Sequence, residues 1–158
     1  MRLLLILAVA WFFVTCTSGP PEPPRDFDWT TWSNAAAGYS MDVPNVYEPD
    51  VEDGGNAVFF RWNGTVPVKA YLTDLESAKH HGLWVGEEPT GSATLGGLPA
   101  ARYDYTHCDG PFCSQIVSFV VERGNRWLAL EFRADRELNP VNQRILSSFQ
   151  LLPAEAGG

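Results

Sequence analysis

Apolar and polar positions alternate over Gly38-Tyr39-Ser40-Met41-Asp42-Val43-Pro44, the pattern of a strand with one buried face, ending at a proline. Two further apolar runs, Ala57 to Trp62 (AVFFRW) and Val66 to Leu72 (VPVKAYL), flank Asn63-Gly64-Thr65. Asn-Gly tolerates the positive φ that both central residues of a type I′ turn need, so the two runs predict a hairpin. Pro67 has no N–H to give to a ladder, which puts the second strand at an edge or gives it a start with a free donor. The period then changes. Thr73-Asp74-Leu75-Glu76 has the form of a capping box and opens a short helix expected to run to about His81 and stop at Gly82.

Strands return after a loop of glycines and Pro89. Ala100 to His107 (AARYDYTH) and Ser114 to Glu122 (SQIVSFVVE) form a hairpin, and Arg123-Gly124-Asn125 turns the chain into Arg126 to Ala134 (RWLALEFRA). In that last strand Leu128, Leu130 and Phe132 make a more apolar face than Trp127, Ala129 and Glu131, and are expected to point inward. Asn139 can cap a closing helix with Pro140 in its first turn, and Val141, Ile145, Leu146 and Phe149 share one side of it. Strands, one helix, a three-strand meander and a closing helix, joined by hairpins, predict an α+β fold: an antiparallel sheet with helices packed on it.

The amino terminus does not fit this domain. Leu3 through Val14 is a twelve-residue apolar run without charge, preceded by Arg2. It is shorter than the about 20 residues a membrane-spanning helix needs and suits a signal peptide over residues 1–15. Phe13-Val14-Thr15-Cys16 resembles a bacterial lipobox, in which the cysteine becomes the lipidated amino terminus. That family prefers Leu at the position of Phe13 and Gly or Ala at that of Thr15. The resemblance implies lipidation at Cys16, by palmitate-type acyl chains, and attachment to a membrane of the bacterial cell envelope, with the domain on the periplasmic or extracellular side. The alternative is cleavage nearby that releases a soluble secreted protein. Gly19-Pro20-Pro21-Glu22-Pro23-Pro24 has few amide donors and favours extended polyproline II, so residues 16–26 read as a tether, 27–153 as the domain and 154–158 as a disordered tail.

Charge narrows the partners. The formal net charge of −8 becomes −9 when residues 1–15 and their Arg2 are removed, because that segment holds no acidic residue. An acidic surface of this kind repels phosphates, which argues against nucleic acid, and it offers no basic patch to anionic lipid, so membrane attachment falls to Cys16. The cysteine count points the same way. With Cys16 lipidated, Cys108 and Cys113 remain as a pair in an oxidising compartment, flanking Asp109-Gly110-Pro111-Phe112 and facing each other across the hairpin. A redox pair normally has two intervening residues rather than four.

Motifs for catalysis are missing. The chain has no Gly-x-Ser-x-Gly elbow, no phosphate-binding glycine loop and no His-Glu-x-x-His. Asp50, Glu52 and Asp53, and likewise Glu87 and Glu88, lie among glycines and prolines and read as solvated loops. His80 and His81 fall at the end of the first helix, where a cation suits the dipole, but adjacent helical positions diverge by about 100° and chelate one ion poorly. His107 beside Cys108 and Asp109 could ligate zinc only with the thiols reduced. Trp84, in Gly82-Leu83-Trp84-Val85-Gly86, is the tryptophan chosen for a ligand or partner surface together with His80 and His81, although core burial is the commoner fate of such a residue. No catalytic residue, metal or cofactor is assigned.

Over residues 36–151 the chain resembles the PsbP-like superfamily. The pieces that carry this are Gly38-Tyr39-Ser40 with Pro44, Gly97-Leu98-Pro99-Ala100, Trp127-Leu128-Ala129-Leu130-Glu131-Phe132, and Ile145-Leu146-Ser147-Ser148-Phe149. The resemblance implies an α/β/α sandwich around an antiparallel sheet. It also implies a non-catalytic binding or assembly module with an envelope protein as partner, and it transfers no site residue. A small-ligand or metal-binding periplasmic protein is the alternative.

Overall fold

The computed structural model describes residues 21–153. The expected signal peptide, Cys16, the first part of the tether and the tail lie outside the described residues. The tether's described end differs from expectation: Pro24 is buried, and Phe27 packs on the main core, so the chain joins the domain slightly before residue 27.

Ten strands and two helices follow in the order β1 (Trp29–Asn34), β2 (Tyr39–Pro44), β3 (Glu48–Glu52), β4 (Ala57–Trp62), β5 (Thr65–Thr73), α1 (Leu75–His80), β6 (Gly91–Leu95), β7 (Leu98–Asp109), β8 (Phe112–Arg123), β9 (Arg126–Arg133), α2 (Pro140–Ser148) and β10 (Gln150–Leu151). β1, β2 and β10 form a three-stranded sheet, and the other seven form a second sheet in the order β3-β4-β5-β9-β8-β7-β6. Every described strand pair is antiparallel. The small sheet and α2 cover one face of the large sheet, and α1 with the segment after it covers the other. This is the expected α+β class with helices on both faces.

Local chemistry explains the junctions. Asn63 and Gly64 take φ of 47° and 70° between the directly paired Trp62 and Thr65, which is the two-residue turn that Asn-Gly favours. Pro67 is not at an edge, because β5 lies between β4 and β9. Its missing N–H does no harm there: pairing with β9 begins at Val68, and the register with β4 shifts at this point, where a bulge leaves residues unpaired. The first helix is capped by Asp74 rather than Thr73, which completes β5; Asp74 Oδ1 accepts from the Ser77 amide at 2.7 Å. That backbone hydrogen bond leads the effects holding the Asp74 carboxyl below its ordinary range. Asn139 caps α2 as expected, accepting from the Asn142 amide at 2.9 Å with Pro140 behind it. Asn139→Ala should cost about 1 kcal/mol, visible as a lower denaturant midpoint with unchanged slope.

The main core lies between the sheets. Tyr39, Met41 and Val43 of β2 and Val141, Ile145 and Phe149 of the α2 segment meet Phe60, Val68, Leu128, Leu130 and Phe132 of the large sheet. Tyr39 stacks on Phe149 at 5.0 Å, and Trp32 sets its edge against Phe60 at 5.2 Å. Arg144 lies over the Trp29 ring at 4.2 Å and close to Asp42, which ties α2 to the small sheet. Leu128, Leu130 and Phe132 face this core as expected, but the opposite face of β9 is buried too. Ala129 and partly buried Trp127 belong to a second, smaller core under α1, and Glu131 is 2% exposed.

Candidate functional site

Strand order places the buried carboxylate. After β5 the chain crosses over the sheet through residues 74–90 to reach the far-edge strand β6, then returns through β7 and β8 until β9 fits beside β5. The crossing segment therefore passes over β9, β8 and β7. Beneath it, one register row runs directly across five strands: Phe59, Lys69, Glu131, Ser118 and Tyr103. The next row, Ala57, Tyr71, Ala129 and Val120, is apolar apart from the Tyr71 hydroxyl.

Tyr105 donates its hydroxyl to Glu131 Oε1 at 2.6 Å, the short length of a charge-assisted bond. Burial pushes the Glu131 carboxyl above the usual range, opposed by Tyr105, by the Lys69 ammonium and by Ser118. The Ser118 hydroxyl, fully buried, stands near enough to oppose that rise yet makes no hydrogen bond of acceptable geometry. Burial first, then the Glu131 charge, raises the Tyr71 and Tyr105 phenols well above their ordinary value. Both phenols stay protonated in any physiological medium, so Tyr105 is a fixed donor.

The covering segment is lightly held. In α1 only Ala78 is buried, and Leu75 is 49% exposed. Leu83 and Trp84 supply the remaining anchors, with Trp84 tilted against Tyr103 at 6.4 Å. Trp84 is thus a plug in the second core, 4% exposed, as the core-burial reading has it, and does not form a surface with His80 and His81. His80 and His81 are exposed, with rings 5.4 Å apart and nearly perpendicular. His81 instead lies over Tyr71, and the His107 ring sits against Gly82, where an added Cβ would come within 2.9 Å of Cε1. The three histidines therefore border one end of the strap. Among the described residues no group of three His, Cys, Asp or Glu is arranged to hold a metal.

A second feature is the tip of the β7–β8 hairpin. β8 pairs with β9 only from Ile116 onward, whereas its ladder with β7 continues to the Asp109–Phe112 pair. The last residues of the hairpin therefore have only each other as strand partners. The turn is shorter than the four-residue loop expected: the strands run through the cysteines, and Gly110-Pro111 alone makes the reversal, Gly110 taking φ of 58°. Cys108 and Cys113 face each other and form the disulfide. Beyond it Phe112 is 60% exposed, more than Val51, Leu75 or Leu98, the other exposed large apolar residues among those described. Replacing both cysteines with serine should cost about 2 kcal/mol on the loop-entropy model, measured by denaturant midpoint, while leaving the sheet's far-ultraviolet circular dichroism intact.

Comparison with known proteins bears on the fold. No family model and no curated protein matches the chain. Among solved structures it is similar to a protein of Bacteroides thetaiotaomicron, with a TM-score of 0.53, 12% identity, and coverage of 78% of this chain and 48% of that one. The chain thus spans about half the length of that protein. It is also similar to the solution structure of cyanobacterial PsbP (CyanoP) from Synechocystis, with a TM-score of 0.50, 11% identity, and coverage of 84% of this chain and 98% of that one. Identities this low speak to fold alone. The architecture is a PsbP-like α+β fold.

Proposed function

We propose that this chain is an exported bacterial envelope protein, anchored by lipid on Cys16, whose domain is a non-catalytic binding or assembly module. It docks a protein partner through the stapled tip of the β7–β8 hairpin. The observation that carries the reading is Phe112: a large apolar side chain 60% exposed at a tip already ordered by a disulfide. Little entropy is lost when such a tip binds, and a buried aromatic is a common energetic anchor of an interface.

The anchor and the docking are tested separately. Cys16→Ser should leave the precursor unlipidated and move the protein out of the membrane fraction, and globomycin should block processing. Unchanged processing and membrane association would refute lipidation. For docking, the wild-type protein and Phe112→Ser are used as baits in envelope extract. A partner retained by wild type and by Leu98→Ser, but lost with Phe112→Ser, is expected. Equal capture by all three baits would remove the hairpin tip from the account.

A further inference from the structure

The polar row under the crossing segment has the composition of a ligand site rather than of a core. A carboxylate and a buried hydroxyl lie between the aromatic rings of Phe59 and Tyr103; the row on one side supplies the fixed Tyr105 donor together with Ile116 and Arg133, and the row on the other side is nearly all apolar. Such polar groups are costly inside a protein unless each finds a partner, and the buried Ser118 hydroxyl has the Glu131 carboxyl as its polar neighbour without a well-formed hydrogen bond to it. We propose that this row is a covered binding site for a small primary ammonium ion, with Lys69 holding the place that the ligand takes. The inference does not depend on how the hairpin tip is used.

Lys69 defines the ligand. It stands directly opposite both Phe59 and Glu131 in the register, its Nζ lies 6.0 Å from the Phe59 ring centroid, and its charge favours the Glu131 carboxylate. An ammonium near an aromatic face, on the strand position directly opposite a carboxylate, has the groups of amine recognition about it without being locked to either. Lysine is only half-buried here, and its four-carbon stem can swing into solvent without any backbone movement. A free alkylammonium would then meet the same ring and carboxylate, with Ser118 as a further polar partner. The buried carboxylate excludes an anion, and the described residues supply no metal-ligand set.

The way in is the crossing segment. It is anchored by Ala78, Leu83 and Trp84, and it contains Gly82 and Gly86 at φ of 63° and 94°, positions where the backbone turns on residues without side chains. Lifting Trp84 away from Tyr103 uncovers the Tyr103 end of the row while the sheet stays as it is.

The test is a nuclear magnetic resonance titration of the mature protein with n-butylammonium, which reproduces the lysine side chain, and with 1-butanol as its neutral counterpart. Saturable shifts of the Trp84 indole and of amides 75–86 are expected with n-butylammonium and not with 1-butanol, at concentrations up to the millimolar range of a weak small-ligand site. Lys69→Met removes the internal competitor and should tighten binding about tenfold. Glu131→Gln, nearly isosteric, should abolish it with circular dichroism unchanged; Ser118→Ala gives a second, milder loss. The proposal is overturned if neither wild type nor Lys69→Met shows saturable shifts, if 1-butanol moves the same resonances equally, or if Lys69→Met binds no more tightly than wild type.

Discussion

Phe132→Ala is expected to destabilise the domain by about 3–5 kcal/mol, the largest effect of any single truncation considered. Phe132 is fully buried in the middle of the large sheet, paired to Val68 on one side and Val117 on the other. It sets its ring against Phe119 at 6.1 Å. Strands on both sides hold the backbone in place, so the site cannot collapse onto the cavity that the missing ring would leave. A domain of this size commonly has only about 5–15 kcal/mol of stability, so the variant should be partly unfolded near physiological temperature. Equilibrium denaturation of the mature domain measures it; a loss below about 1 kcal/mol would mean that the two sheets do not share the core described.

Glu131→Gln is expected to have the second-largest effect, and with the opposite sign at neutral pH. Burial leads the effects that raise this carboxyl above its ordinary value, so the folded chain holds the proton to a higher pH than the unfolded chain does. Between those two values the unfolded chain binds fewer protons, and stability falls as pH rises. The wild type should thus be at its best at and below the ordinary glutamate range and lose stability as pH climbs through the raised folded-state value. Glutamine keeps an oxygen for Tyr105 to donate to and carries no charge, so its curve should lack this decline. The gain follows from linkage: each tenfold difference in proton affinity between the folded and unfolded chain is worth about 1.4 kcal/mol, and glutamine removes that penalty. Denaturant midpoints of both proteins from pH 4 to pH 8, roughly spanning the carboxylate and neutral ranges, decide the matter. Parallel curves would mean that Lys69 and Tyr105 fully offset the burial.

Residues that act locally were readable from the sequence. Asn63-Gly64 selects its turn and Asn139-Pro140 its helix start whatever surrounds them, and both appear where the pattern puts them. Glycine after the last turn of α1 ends that helix for the same reason. The missed strands lack such signals. β3 carries Glu48, Pro49, Asp50 and Glu52, β6 opens with Gly91-Ser92, and in β1 the two tryptophans are three residues apart, off the period of two. Each lies at the margin of a sheet, where pairing rather than burial makes the strand.

Glu131 was missed for a different reason. Alternation along β9 marks one face as more apolar, but it cannot say that the other face is also covered. That depends on β9 inserting beside β5, which follows from the path of the whole chain, and on the strap that crosses above it. A glutamate between Leu130 and Phe132 in an otherwise apolar strand was the available signal. Trp84 is the mirror case: its glycine-rich surroundings allow a surface position as well as a buried one, and here they let the chain turn the ring inward.

The stapled hairpin tip is the proposed docking element. Its most direct test places a photocrosslinking amino acid at position 112 in the full-length protein in living cells, with position 98 as the control, since Leu98 is also exposed but lies at the far end of β7. A discrete protein adduct from position 112 and none from position 98 is the predicted result. No adduct at 112, or the same adducts from both positions, would contradict it.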